Sequence, residues 1–244
     1  MLDNMQSETN MMESTTDPRP HAIVIGSGFG GLAAAVRLGA RGWRVTILEK
    51  LDAPGGRAYV FRQDGFTFDA GPTIITAPYL LDELWALAGR DLAQDIDLRA
   101  MDPFYLIRFD DGEVMRCSAD LDVTRAEVAR IAPQDSERIF RVAFAELADK
   151  PFHRLSSLLG AAPDLIRLQG YRTVYSRVCD YFTSEKLRVA FSFHPLLIGG
   201  TPMTTTAYYC LIAHLERLHG VHYAMGGTGA IAALSPASLE TLER

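Results

Sequence analysis

The sequence is poor in cysteine, and its few cysteines have no spacing of known chemistry. Of 244 residues only three are cysteine, namely Cys117, Cys179 and Cys210. An odd number of widely separated thiols argues against a disulfide framework, and no C-x-x-C pair suggests a zinc or redox motif. The thiols therefore indicate a reducing compartment and predict no metal site.

Long apolar runs and a surplus of basic residues are also lacking. The best apolar run, residues 22–36, is interrupted by glycines and is shorter than the roughly 18 residues that a bilayer span requires. Residues 1–19 are polar, without the apolar centre of a secretory signal. With 24 Lys+Arg against 30 Asp+Glu, the net charge of −6 argues against a general nucleic-acid binder, which needs clustered cations. A membrane contact would therefore have to be peripheral.

The ordered part of the sequence begins with the pattern of a parallel βαβ unit. Hydrophobic residues make up 48% of the chain and charged residues 22%, as in globular proteins. Residues 22–25 form an unbroken apolar run, which predicts a strand covered on both faces. A glycine-rich turn follows at 26–31, then a helical pattern at 32–40 and a second β-branched strand at 43–48. These elements predict one βαβ crossover.

The glycine-rich turn matches the dinucleotide-binding pattern G-x-G-x-x-G at Gly26, Gly28 and Gly31. The first glycine permits the tight turn, the second lets backbone approach a diphosphate, and the third lets helix and strand pack closely. The positive end of the following helix would then face the phosphates. Glu49 closes the second strand, where a carboxylate can accept hydrogen bonds from an adenosine ribose. The pattern predicts a dinucleotide site, against the alternative of a structural glycine turn.

A second glycine pair favours FAD over the nicotinamide cofactors. The carboxylate at Glu49 disfavours NADP, whose extra phosphate needs a cation. Downstream, PGGR at 54–57 lets the chain pass close to a ligand and offers Arg57 to a diphosphate or an anionic flavin. The alternative is a surface loop with a solvated arginine. Gly71 also permits close backbone approach, although DAGPT at 69–73 is by itself only a turn.

The rest of the sequence predicts two hairpins and then a mostly helical region. Asp64-Gly65 and Asp111-Gly112 are tight-turn signals whose two residues are expected at positive φ, and the paired strands are predicted at 58–62 with 66–68 and 104–109 with 113–116. Helices are predicted at 78–89, 123–132, 135–149, 152–159, 164–182, 185–191 and 205–219. Only two parallel strands are recognisable, so the dinucleotide-binding sheet is predicted to be unfinished.

Taken together, these segments resemble flavin-dependent amine oxidases and carotenoid desaturases. The resemblance lies in GSGFGGL (26–32), Glu49, PGGRAYVF (54–61) and GFTFDAGPTIIT (65–76). Two later segments, LRVAFSFHPLLIGGTPMTTTAYY (187–209) and HYAMGGTGA (222–230), are similar to bacterial-type phytoene desaturases. The resemblance covers residues 21 to about 230.

This resemblance implies an α/β fold. A Rossmann-like FAD-binding βαβ unit of the glutathione-reductase type, with β-hairpins, would precede a mostly helical substrate- or membrane-binding region. The expected division is a disordered tail at 1–20, FAD-binding at 21–122, the helical region at 123–225 and a return segment at 226–244. Carried over by position, the FAD-binding residues would be Gly26, Ser27, Gly28, Phe29, Gly30, Gly31, Glu49, Lys50, Gly56, Arg57, Gly71, Pro72 and Thr73.

The implied activity is the stepwise dehydrogenation of phytoene toward neurosporene or lycopene, with FAD accepting the hydride because side chains alone cannot oxidise such C–H bonds. The implied partners are this apolar polyene, a membrane surface, and either a separate C-terminal half or a second copy of the chain. The expected location is cytoplasmic, on the inner face of the bacterial membrane. Residues 158–168, with Arg154, Arg167 and Arg172 nearby, are the predicted membrane contact; a packed helix is the alternative.

The sequence also departs from the family. Family members are about twice as long, and after Ala230 the sequence follows the family helix only loosely, so the chain alone is expected to turn over poorly. Where many relatives carry an acid and an arginine, this chain has Ser157 and Gly160, which leaves the catalytic residues unassigned. Other carotenoid flavoenzymes (a methoxyneurosporene or dehydrosqualene desaturase, a carotene isomerase) and a non-catalytic FAD-binding fragment remain alternatives.

Several other features allow two interpretations each. Helical-region aromatics would line an apolar channel or form ordinary core; they are Phe152, Tyr171, Tyr175, Tyr181, Phe182, Phe191, Phe193, Tyr208 and Tyr209. His214, His219 and His222 lack metal-ligand spacing and are interpreted as structural or surface histidines. His194 would face the substrate or cap a helix. GGTG at 226–229 would aim a helix at an anion or form a plain turn.

Overall fold

In a computed structural model, the structure describes residues 17–135, 171–237 and the backbone of 242–243. The chain is a mixed α/β protein, as predicted. Its strands are β1 (His21–Ile25), β2 (Arg44–Leu48), β3 (Val60–Gln63), β4 (Phe66–Asp69), β5 (Leu98–Met101), β6 (Tyr105–Arg108), β7 (Val114–Cys117), β8 (Val221–Ala224) and β9 (Leu242–Glu243). Its helices are α1 (Phe29–Gly39), α2 (Pro78–Leu87), α3 (Leu92–Asp95), α4 (Leu121–Ile131), α5 (Val174–Cys179), α6 (Glu185–Ser192), α7 (Cys210–His219) and α8 (Thr228–Leu234).

The predicted βαβ crossover is confirmed. β1 and β2 are parallel and in register from His21 opposite Arg44 to Ile25 opposite Leu48, and α1 connects them. The helix begins at Phe29, three residues earlier than the periodicity indicated. Apolar spacing could not reveal this start, because the second half of the glycine motif forms the first helical turn.

Only one face of the β1–β2 pair is covered by described residues. On that face, Val24 and Ile47 pack with Leu32 and Val36 of α1. On the opposite face Ile25 is 87% exposed, so the prediction that β1 is covered on both faces is wrong for the described chain. The apolar run is nevertheless what a doubly covered strand requires, and the element that would cover the second face does not lie among the described residues.

A third parallel strand corrects the prediction of only two. β9 pairs with β2, with Leu242 opposite Ile47 and Glu243 opposite Leu48, and the strand order is β1-β2-β9. Two residues are too few to produce a period-2 pattern, so no strand could be predicted there.

Both predicted hairpins are confirmed, with one difference in turn chemistry. β3 pairs with β4 and β6 with β7, all antiparallel. Asp64 and Gly65 both adopt positive φ, at 51° and 82°. In the second turn only Gly112 does, at 87°, because the Phe109 N–H donates to the Glu113 carbonyl and leaves a three-residue loop rather than a two-residue one.

The sequence missed the pairing of β5 with β8. Leu98–Met101 runs antiparallel to Val221–Ala224, and Ile75 adds an isolated bridge to His222 on the other side of β8. Neither strand alternates clearly enough to stand out beside strong helical patterns. The pairing connects the predicted helical region to the first half of the chain.

In the helical region, five predicted helices fall wholly or partly within the described residues, and the one at 164–182 is wrong there. A helix at 164–182 cannot run through Thr173, which is extended and caps the start of α5 by accepting the Ser176 N–H. The predicted helix at 205–219 is confirmed as a 3-10 turn at Ala207–Tyr209 followed by α7. The predicted helix at 152–159, nearly all of the one at 135–149, and the proposed membrane contact at 158–168 lie outside the described residues.

Asp135 joins two parts of this region. It is completely buried, and its carboxylate accepts the Thr183 and Ser184 N–H groups at the start of α6. The sequence analysis placed Asp135 at the start of a helix instead. Around this contact lies the largest core cluster, whose buried members are Met115, Val128, Ala132, Val174, Val178, Phe182, Leu187 and Ala190.

Candidate dinucleotide site

The glycine turn between β1 and α1 is shaped by backbone contacts that only glycine permits. Gly26 has φ +94°, and its N–H donates to the Leu48 carbonyl at 2.7 Å. A Cβ on Gly31 would lie 2.0 Å from the Gly26 carbonyl oxygen. By contrast, a Cβ on Gly26 or Gly30 would meet nothing within 4 Å. The turn is therefore closed toward the protein at Gly31 and open at Gly26 and Gly30.

Glu49 holds this turn through Ser27, a contact that the sequence analysis missed. The Ser27 N–H and Oγ–H both donate to Glu49 Oε2 at 2.7 Å, and the Leu51 N–H donates to Oε1 at 3.0 Å. Ser27 is fully buried. These donors, led by the Ser27 hydroxyl, lower the pKa of Glu49 to about 2. Glu49 is therefore a carboxylate at neutral pH. It holds the glycine turn in place whether or not it also binds a ligand.

The PGGR segment packs directly on the glycine turn, as its glycines require. The Gly55 N–H donates to the Ser27 carbonyl at 3.0 Å. A Cβ on Gly56 would lie 3.0 Å from the Gly28 Cα, and Gly56 has φ +57°. Two motifs that are separated in sequence thus meet backbone to backbone.

Two cationic residues lie next to the contact between the glycine turn and PGGR: Lys50 follows Glu49, and Arg57 follows Gly56. Lys50 and Arg57 are both exposed, and the side chain of neither forms a hydrogen bond or ion pair with another described residue. Unpaired cations beside open backbone are suited to an anionic ligand, and an arginine binds phosphate with two parallel hydrogen bonds.

The third motif and the GGTG segment complete the cluster. A Cβ on Gly71 would lie 2.1 Å from the Arg57 carbonyl oxygen. Pro72 accepts a 2.7 Å hydrogen bond from the hydroxyl of Thr228, which is almost fully buried. Gly71, Pro72 and Thr73 are exposed. GGTG, at the start of α8, therefore lies against GPT at 71–73. The sequence had allowed GGTG to be either an anion-binding helix start or a plain turn.

The start of α1 fits a diphosphate. Its N-cap is Gly28, which provides no side-chain hydrogen bond, and its first turn contains no acidic residue. The first N–H groups of a helix have no intrahelical partner, and they attract anions. Phe29, the first helical residue, is 39% exposed. The start of α1 thus lies beside glycines with free space around them and beside the cations Lys50 and Arg57. These residues fit a dinucleotide with its diphosphate at Gly28–Gly30.

The chain matches a known family of flavin-containing proteins. The family described as flavin containing amine oxidoreductase matches residues 29–238. The chain belongs to this family. Its cofactor is FAD, as the sequence predicted.

Individual relatives narrow the comparison to carotenoid enzymes. The chain is 45% identical over 222 residues to the neurosporene-forming phytoene desaturase of Cereibacter sphaeroides, an alignment that covers 87% of this chain and 43% of the relative. It is 45% identical over 218 residues to the lycopene-forming phytoene desaturase of Pantoea ananas, covering 85% and 44%. The chain thus spans less than half the length of these relatives.

Solved structures agree on the fold. A Pyrococcus furiosus protein matches with a TM-score of 0.58 at 18% identity, covering 90% of this chain and 49% of its own. A putrescine oxidase variant matches with a TM-score of 0.53 at 19% identity, covering 91% and 49%. The predicted FAD-binding α/β fold is confirmed by these comparisons.

Away from the site, the structure resolves the role of His194. It is buried, and its Nε2 lies 2.9 Å from Glu216 Oε2, while the Tyr105 hydroxyl donates to Glu216 Oε1 at 2.8 Å. Burial and the Glu216 carboxylate raise the pKa of Tyr105. The sequence did not indicate that Glu216 would contact both His194 and Tyr105, because the three residues come from three separate parts of the chain.

The remaining histidines and aromatics differ in their surroundings: Tyr171 is 77% exposed, whereas His222 Nδ1 is buried and has no hydrogen-bond partner among the described residues. His214 Nδ1 accepts a hydrogen bond from Arg217 at 2.9 Å, and burial lowers the pKa of this histidine. The described residues contain no group of three His, Cys, Asp or Glu side chains placed to bind a metal. The ring of Phe182, a buried member of the main core cluster, stacks on the ring of Phe191, which packs against that cluster; the ring centroids are 4.7 Å apart. For these two aromatics the structure agrees with the prediction of ordinary core. Ser157, Gly160 and Phe152 lie outside the described residues.

Proposed function

We propose that this chain forms the FAD-binding part of a phytoene desaturase. The convergence of four separated motifs on one open backbone surface carries the proposal: the glycine turn, PGGR, GPT and GGTG meet through direct contacts. The 45% identity to two phytoene desaturases supports the substrate class.

In this proposal the chain's residues act by binding and orienting the cofactor. The N–H groups at the start of α1, together with Lys50 and Arg57, hold the diphosphate. Glu49 keeps the turn in place and offers its less engaged Oε1 to the ribose. Gly71, Pro72 and Thr73 provide exposed backbone for the flavin end of the cofactor. When bound, FAD supplies the two-electron oxidant that a CH–CH to C=C conversion needs.

FAD binding is tested by titrating the purified chain and following the change in flavin fluorescence. We expect Arg57→Ala to raise the Kd for FAD about tenfold to a hundredfold, because a hydrogen bond to a charged group contributes about 1.5–3 kcal/mol. Arg62→Ala, which removes an exposed arginine from the neighbouring hairpin, is the matched control and should leave the Kd unchanged. Equal effects of the two variants would contradict the assignment of Arg57.

The substrate is tested in bacteria that accumulate phytoene. We expect neurosporene or lycopene when this chain is expressed with a separate polypeptide that supplies the remaining length of the Cereibacter sphaeroides relative, and little product from either part alone. Cells that accumulate other carotenoid precursors distinguish the alternative desaturases and isomerases. FAD binding without any product in all these strains would favour a non-catalytic FAD-binding fragment.

We further propose that the protein contacts the inner face of the bacterial membrane peripherally. Among the described residues no helix is long and apolar enough to cross a membrane. Residues 189–215 contain no Asp, Glu, Lys or Arg, and within them Leu196, Leu197 and Ile198 are 62%, 49% and 52% exposed. Exposed aliphatic side chains in an uncharged segment suit an apolar surface. Flotation with phospholipid vesicles tests this, with Leu196→Ser and Ile198→Ser expected to reduce binding.

A further inference from the structure

Asp69 lies inside the motif cluster, at the point where GPT meets GGTG. It is the last residue of β4, opposite Val60, and it directly precedes Ala70 and Gly71. Its side chain is half-buried. Among the described residues it forms no hydrogen bond and no ion pair.

The backbone of GGTG is shaped to receive this carboxylate. Gly227 has φ +79°, and a Cβ there would lie 2.4 Å from Asp69 Oδ1 and 2.9 Å from Oδ2. Any side chain at Gly227 would thus displace the carboxylate. Two segments far apart in sequence are held together here, since Thr228 also donates to the Pro72 carbonyl.

A carboxylate in this position suits a ligand rich in hydroxyl groups. A carboxylate offers about four lone-pair positions and no donor, so it pairs with O–H or N–H groups. The proposed diphosphate region at Gly28 connects to Asp69 through a series of contacts: Gly28 with Gly56, the Arg57 carbonyl with Gly71, and Pro72 with Thr228, whose neighbour Gly227 lies against Asp69. A dinucleotide that extends from the glycine turn along this series brings the polyol beyond its diphosphate toward Asp69.

We propose that Asp69 is a cofactor-binding residue that accepts hydrogen bonds from the ribityl hydroxyl groups of FAD. The inference rests on the proposed function, because it requires FAD to bind along the motif cluster. Asp69 thereby distinguishes the flavin half of the cofactor from the adenosine half, whose contacts belong to Glu49 and the glycine turn.

The inference is tested by comparing FAD with ADP, which carries the adenosine and diphosphate but no ribityl chain. We expect Asp69→Ala to raise the Kd for FAD about tenfold to a hundredfold and to leave the Kd for ADP within about twofold of wild type. Asp69→Asn keeps the shape with a neutral acceptor, so an intermediate rise is expected, since charge-assisted hydrogen bonds are about twice as strong as neutral ones.

Asp64→Asn is the matched control. It removes one carboxylate from the same hairpin, at a turn position with φ 51° that asparagine tolerates. Binding of FAD is followed by flavin fluorescence, binding of ADP by calorimetry, and urea unfolding of each variant reports on the fold.

Each outcome has one meaning. Selective loss of FAD affinity in the Asp69 variants supports the inference. An unchanged Kd for FAD overturns it, and so does a parallel loss of FAD and ADP affinity with lower stability, which would make Asp69 a structural contact to α8. A wild-type chain that binds neither ligand contradicts the proposed function itself, whereas a chain that binds both with no effect of Asp69 contradicts this inference alone.

Discussion

The contact between Glu49 and Ser27 predicts a stability that depends on pH in a defined window. Glu49 accepts three hydrogen bonds as a carboxylate, and its pKa falls from the usual 4.5 to about 2. A difference of this size corresponds to about 3.4 kcal/mol at most. Because Glu49 is partly exposed and solvent weakens such contacts, we expect about 1.5–3 kcal/mol.

The direction follows from the lowered pKa. A carboxylate that is more acidic in the folded than in the unfolded chain stabilises the fold fully above about pH 4.5, and this contribution is lost as the pH falls toward 2. Glu49→Gln removes the charge at every pH. We therefore expect the variant to be less stable than wild type by about 1.5–3 kcal/mol at pH 7, and by less than half of that near pH 3.

Urea unfolding at pH 7, 5 and 3, followed by circular dichroism, measures the difference. Asp64→Asn is the control, because it removes a charge without touching Ser27 or Leu51. Ser27→Ala should reproduce most of the loss at pH 7 and add little to Glu49→Gln in the double variant. A gap between wild type and Glu49→Gln that stays constant from pH 7 to pH 3 would refute the reasoning.

Three further predictions concern other contacts. Gly31→Ala, whose Cβ would lie 2.0 Å from the Gly26 carbonyl oxygen, should cost about 1–3 kcal/mol in urea unfolding, whereas Gly30→Ala, with open space around the new Cβ, should cost nothing or stabilise α1 slightly. Glu216→Ala leaves buried His194 and the Tyr105 hydroxyl without their partner and should destabilise the fold by about 1–3 kcal/mol in the same assay; a loss below about 0.5 kcal/mol would contradict a stabilising role for this contact. Asp135→Ala should speed amide hydrogen exchange at the start of α6, because it removes the acceptor of those N–H groups.

The sequence predicted the local units of the fold well. Glycine position, β-branched runs and Asp-Gly turns are short-range signals, and they located the βαβ crossover and both hairpins. The cofactor followed for the same reason, since G-x-G-x-x-G and PGGR encode backbone shapes that side chains would block. The outcome for Gly31 and Gly56 illustrates this, because each contact there leaves no room for a Cβ.

Contacts between residues far apart in the sequence could not be predicted from these short-range signals. Nothing near Leu98–Met101 indicates that its partner is Val221–Ala224, and nothing near His194 indicates Tyr105. The Ser27 contact with Glu49 is an intermediate case. Both residues were predicted to bind the cofactor. Their spacing could not show that Ser27 itself donates two hydrogen bonds to the Glu49 carboxylate that was assigned to the ribose.

The hydrogen bond from Thr228 to Pro72 has a consequence for synthesis of the protein. Its two partners are 156 residues apart in the chain. A ribosome that adds roughly 5–20 residues per second needs roughly 8–30 s to make that stretch. During this interval the glycine turn and PGGR have already been made, while GGTG does not yet exist. In the proposed FAD site, the residues assigned to the adenosine end are therefore made well before GGTG can pack against the residues assigned to the flavin end.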